Sequence, residues 1–304
     1  MRYYDDVRDM IGHTPLLRLN HMGFAQGRMV FAKLELFNPG GSVKDRMGRS
    51  LVEDAEKRGL LTPCSTILEA TAGNAGIGIA LAALGKGYRV IFAVPEKFSE
   101  EKQTIMKAFG AEIVHTPLED GMQGAMKKIE ELKKKVPHPV TLNQFGNPAN
   151  PRIHYETTGP EIYEDLDGKL DYIVAGAGSG GTLSGVAKYL KEHKPGIKAV
   201  MADPVGSTMG GGKPGCYAIE GIGNTFMPET MDLSLVDTVC KIGDREAFSE
   251  VRLLAAKEGV LAGTSSGAAL AAARKTALEA PEGSIIAVIL PDRGDRYFSK
   301  HIFS

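Results

Sequence analysis

The heptad Gly40-Gly41-Ser42-Val43-Lys44-Asp45-Arg46 sets a lysine just after a glycine pair, with a second cation two residues on. Burial and a cationic neighbour such as Arg46 both disfavour an ammonium ion. A neutral amine is the nucleophile that Schiff-base chemistry on a carbonyl compound needs. Taken alone, the heptad is better explained as a turn followed by a surface lysine. Three further segments change that balance.

Glu69-Ala70-Thr71-Ala72-Gly73-Asn74-Ala75-Gly76 joins an apolar run to a helical pattern. A glycine-rich turn that opens a helix presents free backbone N–H groups, which favour anions. A plain turn with Asn74 as helix cap explains the segment about as well. Gly176-Ala177-Gly178-Ser179-Gly180-Gly181-Thr182 follows another apolar run. Its small residues let amides converge on a phosphate, and Ser179 and Thr182 add hydroxyls. Gly176, Gly178 and Gly181 also satisfy G-x-G-x-x-G, with Asp203 placed to meet a ribose, so a dinucleotide-dependent dehydrogenase competes. The motif lies late in the chain for that fold, and Lys44 would then have no role. Gly263-Thr264-Ser265-Ser266-Gly267 opens an alanine-rich pattern, and alone it is a helix cap with Ser265 or Ser266 in the capping role.

These turns need rigid elements behind them. Apolar runs at 30–34, 66–70, 89–94, 112–115, 140–142, 172–175, 199–202 and 285–290 predict strands, most of them buried on both faces. Amphipathic stretches at 46–58, 76–84, 100–109 and 121–135 predict helices between them. The lysines at 133–135 suit a solvated helix end. The alternation predicts βαβ units with right-handed crossovers, and 304 residues suffice for two α/β domains. Asn147-Pro148-Ala149-Asn150-Pro151 is the clearest break, and the glycine-rich 204–223 stretch is either a lid or a plain surface loop.

Composition narrows the function. Hydrophobic content of 43%, charged content of 24% and a net charge of -1 describe an ordinary globular chain with no basic excess for nucleic acid or anionic lipid. No apolar run reaches membrane-spanning length, and the first thirty residues carry no signal-peptide core. Cys64, Cys216 and Cys240 form no CxxC pair, so a reducing, cytoplasmic location is expected. The seven histidines form no HxxH or HxxxH pair, so no metal is expected.

Taken together and in order, the segments resemble the cysteine synthase/cystathionine β-synthase family, pyridoxal-phosphate enzymes of the tryptophan-synthase-β fold type. The resemblance covers nearly the whole chain. It runs through Ile11-Gly12-His13-Thr14-Pro15-Leu16, Asn38–Arg46, Asn143-Gln144-Phe145-Gly146-Asn147-Pro148-Ala149-Asn150 and Thr157-Thr158-Gly159-Pro160-Glu161-Ile162. Glu220-Gly221-Ile222-Gly223 and Ser265-Ser266-Gly267 complete it. It implies two three-layer αβα domains with mostly parallel twisted sheets and pyridoxal 5'-phosphate in the cleft between them. Residues 43–148 would form a smaller mobile domain, and 1–42 with 149–304 the larger one.

The resemblance also implies residue roles. Lys44 would hold the cofactor as an imine and then serve as the α-proton base. Asn74 would bond the cofactor's phenolic oxygen. Gly178, Ser179, Gly180, Gly181 and Thr182 would cradle its phosphate, and Ser265 would face the pyridine nitrogen. A neutral hydroxyl there makes a weaker electron sink than an aspartate would, which favours β-elimination. Thr71, Ala72, Gly73, Asn74, Ala75 and Gln144 would bind the substrate carboxylate. The family's loop usually reads Thr-Ser-Gly-Asn-Thr, so Ala72 and Ala75 each lack a hydroxyl, and an inactive binding homologue stays a distant alternative. Glu220, with Gly221, looks more like the cystathionine synthases and would meet the ammonium of homocysteine. The implied reaction is β-replacement on serine or O-acetylserine through an aminoacrylate. The acceptor is expected to be homocysteine, with sulfide (cysteine synthase) as the alternative. A homodimer is expected, with small-molecule amino acid and thiol substrates and neither haem nor a regulatory domain.

Overall fold

The computed structural model describes every residue except Arg2, Ala72, Lys97 and Phe98. The chain opens with β1 (Leu16–Arg18) and β2 (Met29–Leu34), then α1 (Lys44–Lys57) and β3 (Thr66–Ala70). Next come α2 (Asn74–Ala83), β4 (Arg89–Pro95), α3 (Glu100–Ala108), β5 (Glu112–Thr116), α4 (Gly121–Lys133) and β6 (Pro139–Thr141). One helical run then holds α5 (Ala149–Ile153), a π turn (His154–Thr158) and α6 (Gly159–Asp165). The rest is β7 (Tyr172–Gly176), α7 (Gly181–His193), β8 (Lys198–Pro204), β9 (Thr238–Ile242), α8 (Asp244–Glu258), α9 (Thr264–Glu279) and β10 (Ile285–Leu290). A 3-10 segment, Gly294–Lys300, follows β10.

Two sheets result. The larger runs β1-β2-β10-β7-β8-β9, the smaller β5-β4-β3-β6. Every pairing is parallel except β1 on β2. Parallel strands must be covered on both faces, and the fully buried β3 and nearly buried β4 and β10 show it. Separate apolar clusters fill the two faces of the larger sheet, and another two fill those of the smaller one.

In the smaller sheet the chain steps outward from β3 to β4 and β5, then returns to place β6 on the other side of β3. In the larger sheet it steps from β7 to β8 and β9, then returns as β10 on the other side of β7. Each return is a topological switch point, where the turns leaving the strand ends diverge and open a crevice. Thr71, Gly73 and Gln144 leave one; Gly178, Ser179, Gly180 and Pro291 leave the other. All of them line one cleft of about 410 Å³.

The helices α1 and α2 pack closely, because glycines stand at their crossing. A Cβ on Gly78 would lie 2.2 Å from the Lys44 carbonyl oxygen, and one on Gly48 2.2 Å from the Gly78 carbonyl carbon. That contact fixes the first turn of α1, which carries Lys44, against α2, which carries Asn74.

Candidate active site

Lys44 is the first residue of α1 and points into the cleft, its Nζ donating to Ser179 Oγ at 3.2 Å. Burial lowers its pKa to about 8. The expectation that Arg46 would contribute to this is corrected. Arg46 faces away, its guanidinium gripping Glu35 at 2.8 Å and Glu161 at 2.6 Å. Two carboxylates absorb its charge, and desolvation alone acts on Lys44.

The loop after β7 is shaped to receive an anion. The Gly178 carbonyl accepts from Asn224 Nδ2 at 2.7 Å, and the Ser179 carbonyl from Thr230 Oγ1 at 2.5 Å. In a trans peptide the next N–H points opposite the carbonyl, so the Ser179 and Gly180 amides are turned away from these anchors. Gly180 has φ +83°, a conformation that favours glycine. A Cβ on Gly178 would meet the Gly221 oxygen at 2.4 Å, and one on Gly181 the Asn150 side chain at 2.0 Å. Asn150 Nδ2 donates to Ser179 Oγ at 3.0 Å and to the Gln144 carbonyl at 2.8 Å. Thr182 Oγ1 lies 3.2 Å from His154 Nε2. Burial holds His154 at a pKa of about 3, hence neutral.

Asn74 opens α2 but does not cap it. Its Nδ2 donates to Asp292 Oδ2 at 2.7 Å and its Oδ1 accepts from Arg296. In the same turn the Thr71 hydroxyl accepts from the Gly73 and Gly76 amides at 3.2 and 3.1 Å, which sets the turn's curvature. Ala72 lies outside the described residues. Ala75 lines the cleft while packing into an apolar cluster of the smaller sheet. Gln144 also lines the cleft, and its Nε2 donates back to the Ala70 carbonyl at 3.1 Å. Ser265, in the first turn of α9, is buried against the cleft, 3.9 Å from where a Cβ on Gly221 would stand. The helix cap is Gly263, so neither Ser265 nor Ser266 takes the capping role that the bare motif suggested.

Glu220 lines the cleft, but its carboxylate has a partner. Lys102 Nζ, on the nearly buried Lys102 of α3, stands 2.7 Å from Glu220 Oε2 and 3.1 Å from the Tyr297 hydroxyl. Asp203, which a dinucleotide reading needs at a ribose, does not line the cleft. It is tied to Lys241 at 2.6 Å and to the Gly210 amide at 2.9 Å.

Reasoning from sequence missed Asn150, His154, Lys102, Asp292, Arg296 and Tyr297. One signal was readable: Asp292 follows the apolar run 285–290, and residues just past a central parallel strand face the ligand crevice. A second, more open groove of about 550 Å³, lined by Arg252, Leu261, Phe298 and Phe303, touches none of the expected site residues.

Residues 7–292 match the family model described as "Pyridoxal-phosphate dependent enzyme". The chain belongs to this family. It is 49% identical over 303 residues to the O-acetylserine dependent cystathionine beta-synthase of Bacillus subtilis, covering all of this chain and 99% of that one. It is 46% identical to a cysteine synthase of Helicobacter pylori, with 98% of each chain covered. The crystal structure of an O-acetylserine dependent cystathionine beta-synthase from Helicobacter pylori superposes with a TM-score of 0.96 at 46% identity over all of both chains. The dehydrogenase alternative is thereby set aside, and the motif at 176–181 belongs to a pyridoxal-phosphate enzyme.

The residues present fit that cofactor. The amine of Lys44 is partly neutral near pH 8 and is free to bond an aldehyde carbon. The amides of 179–180 offer a phosphate what a glycine-lined loop provides, and the missing Cβ atoms leave the loop its close packing. No helix among the described residues is long and apolar enough to cross a membrane, and none of their His, Cys, Asp and Glu side chains cluster to hold a metal.

Proposed function

We propose that this chain catalyses β-replacement on O-acetylserine, with homocysteine as the acceptor thiol and cystathionine as product. Bound pyridoxal phosphate supplies the electron sink that makes the α-proton of an amino acid removable and its β-substituent a leaving group. Lys44 is the cofactor anchor and, once released, the base whose Nζ takes and returns that proton. The loop 178–182 binds the phosphate, Asn74 meets the phenolic oxygen and Ser265 faces the pyridine nitrogen. The turn 71–75 and Gln144 take the donor carboxylate. Residues 43–148 close as a unit over 1–42 and 149–304, and closure excludes water. Three unpaired cysteines suit a reducing cytoplasm.

The observation that carries the acceptor choice is the Lys102–Glu220 pair on the cleft wall. It sets a cation and an anion 2.7 Å apart. Homocysteine brings an ammonium and a carboxylate that exchange partners with this pair, whereas sulfide brings neither. The names of the relative at 49% and of the superposed structure support the same donor and product. Relatives at 46% named cysteine synthase favour sulfide as the second reading.

Glu220→Gln decides between them. Recognition predicts a roughly ten- to hundredfold higher KM for homocysteine, from loss of a charge-assisted contact, with sulfide use almost untouched. A residue that only holds the cleft closed predicts equal losses with both thiols, and that result would move the assignment to cysteine synthase. Parallel assays with serine in place of O-acetylserine test the donor.

A further inference from the structure

The segment that leaves β10 holds two parts of the site at once. Val43 N donates to the Pro291 carbonyl at 2.8 Å and Arg293 N to the Gly41 carbonyl at 3.3 Å, so the strand end zips onto the loop that presents Lys44. A guanidinium N–H of Arg296 reaches the Gly40 carbonyl and another reaches Asn74 Oδ1. Asp292 Oδ2 accepts from Asn74 Nδ2 at 2.7 Å and from the Tyr297 hydroxyl at 2.6 Å. Asp292, Arg296 and Tyr297 are all nearly inaccessible to solvent, whereas Asn74 lines the cleft.

We propose that Asp292 and Arg296 are positioning residues that hold the Asn74 carboxamide in one orientation, leaving the second N–H of Nδ2 for the cofactor's phenolic oxygen. The proposal rests on the reading that Asn74 meets that oxygen. A guanidinium has only donors and a carboxylate only acceptors. An amide clamped between them has its oxygen toward Arg296 and its NH2 toward Asp292. The flipped amide would set NH2 against guanidinium and oxygen against carboxylate, leaving buried groups unpaired on both sides. One N–H of Nδ2 is used by Asp292, and the other is the only side-chain donor left. The clamp thus keeps at the ring a donor that stabilises a phenolate oxygen, where a flipped amide would present a lone pair. Tyr297 extends the arrangement to Lys102, and so to Glu220 on the acceptor side.

The test uses the protein reconstituted with pyridoxal phosphate and reads the balance of the bound cofactor's absorption bands, its dissociation constant, and kcat against KM. R296M and D292A should shift the band balance, weaken cofactor retention roughly tenfold and lower kcat, with the donor KM within about twofold. R296K keeps a donor and should fall between R296M and the parent. R293M, an exposed side chain of the same segment paired with Asp295, should match the parent. If R296M does not fold, D292A decides. Variants R296M and D292A that unfold cooperatively yet keep the parent's band balance and cofactor retention overturn the clamp and leave these residues as anchors of the C-terminal segment. N74A separates the two readings. If N74A alters the bands and the clamp variants do not, only the clamp fails; if N74A leaves the bands unchanged, the cofactor-facing role of Asn74 fails and the clamp with it.

Discussion

At the scale of the residue, the proposed function rests on one amine whose proton is made easy to lose. Lys44 owes this to burial and not to charge, because Arg46 is neutralised by Glu35 and Glu161 on the far side of the helix. The sign of the effect is testable. Only the neutral amine bonds an aldehyde, so the rate at which cofactor-free protein takes up pyridoxal phosphate should rise tenfold per pH unit and level off near pH 8. An ordinary lysine would keep rising toward 10.5. Stopped-flow absorbance against pH reads the inflection directly. Lys44→Ala should lower turnover by at least about 10²–10⁴-fold, the usual contribution of a positioned base. Its phosphate loop should still retain cofactor on gel filtration. That Lys44 and the glycine-rich loop belong together came from several short patterns read in order, and Lys44, Gly178, Ser179, Gly180 and Thr182 do line one cleft. The partners of Asn74 and Glu220 were not legible in the sequence. Asp292 lies 218 residues from Asn74 and Lys102 118 residues from Glu220, and no local spacing encodes such pairs.

At the scale of the element, covered strands read most plainly, although the runs at 112–115 and 140–142 also marked β5 and β6, which are part-exposed edges rather than strands buried on both faces. The runs at 66–70 and 285–290 coincide with β3 and β10, because a strand covered on both faces reads as an unbroken apolar stretch. The two strands the sequence hid, β1 and β9, are edges. One is three residues long with an exposed end; the other mixes exposed Thr238 and Val239 with half-buried Cys240 and Lys241. The helix at 46–58 begins two residues earlier than its amphipathic pattern, at Lys44 itself. That difference matters, since it puts the Lys44 side chain on a rigid helix start rather than in a loop. The α1–α2 crossing keeps it there. Gly78→Ala would press a methyl group onto the Lys44 backbone and should destabilise the fold by about 1–3 kcal/mol. A shift in the urea midpoint, together with a change in the bound cofactor's spectrum, would register both parts of that effect. An unchanged midpoint would mean that the helices can separate at little cost.

At the scale of the whole molecule, two switch points face each other across one cleft, and polar pairs span it. Lys102 with Glu220 and Asn74 with Asp292 join the smaller sheet's helices to the segments leaving the larger sheet. We expect the chain to act as a homodimer. Tyr3, Tyr4, Val7 and Met10 near the N-terminus are exposed apolar groups that a partner copy would cover. Light scattering at micromolar concentration should give twice the chain mass; a monomer would count against this. In the proposed reaction the cleft removes the β-substituent of O-acetylserine and holds the product of that step until a thiol arrives. The most direct measurement follows the absorption of the reconstituted protein as O-acetylserine and then homocysteine are added. The cofactor's visible band should change on the donor with stoichiometric release of acetate, and persist in that changed form until homocysteine restores it as cystathionine appears. A band that O-acetylserine leaves unmoved would rule out β-replacement on this donor.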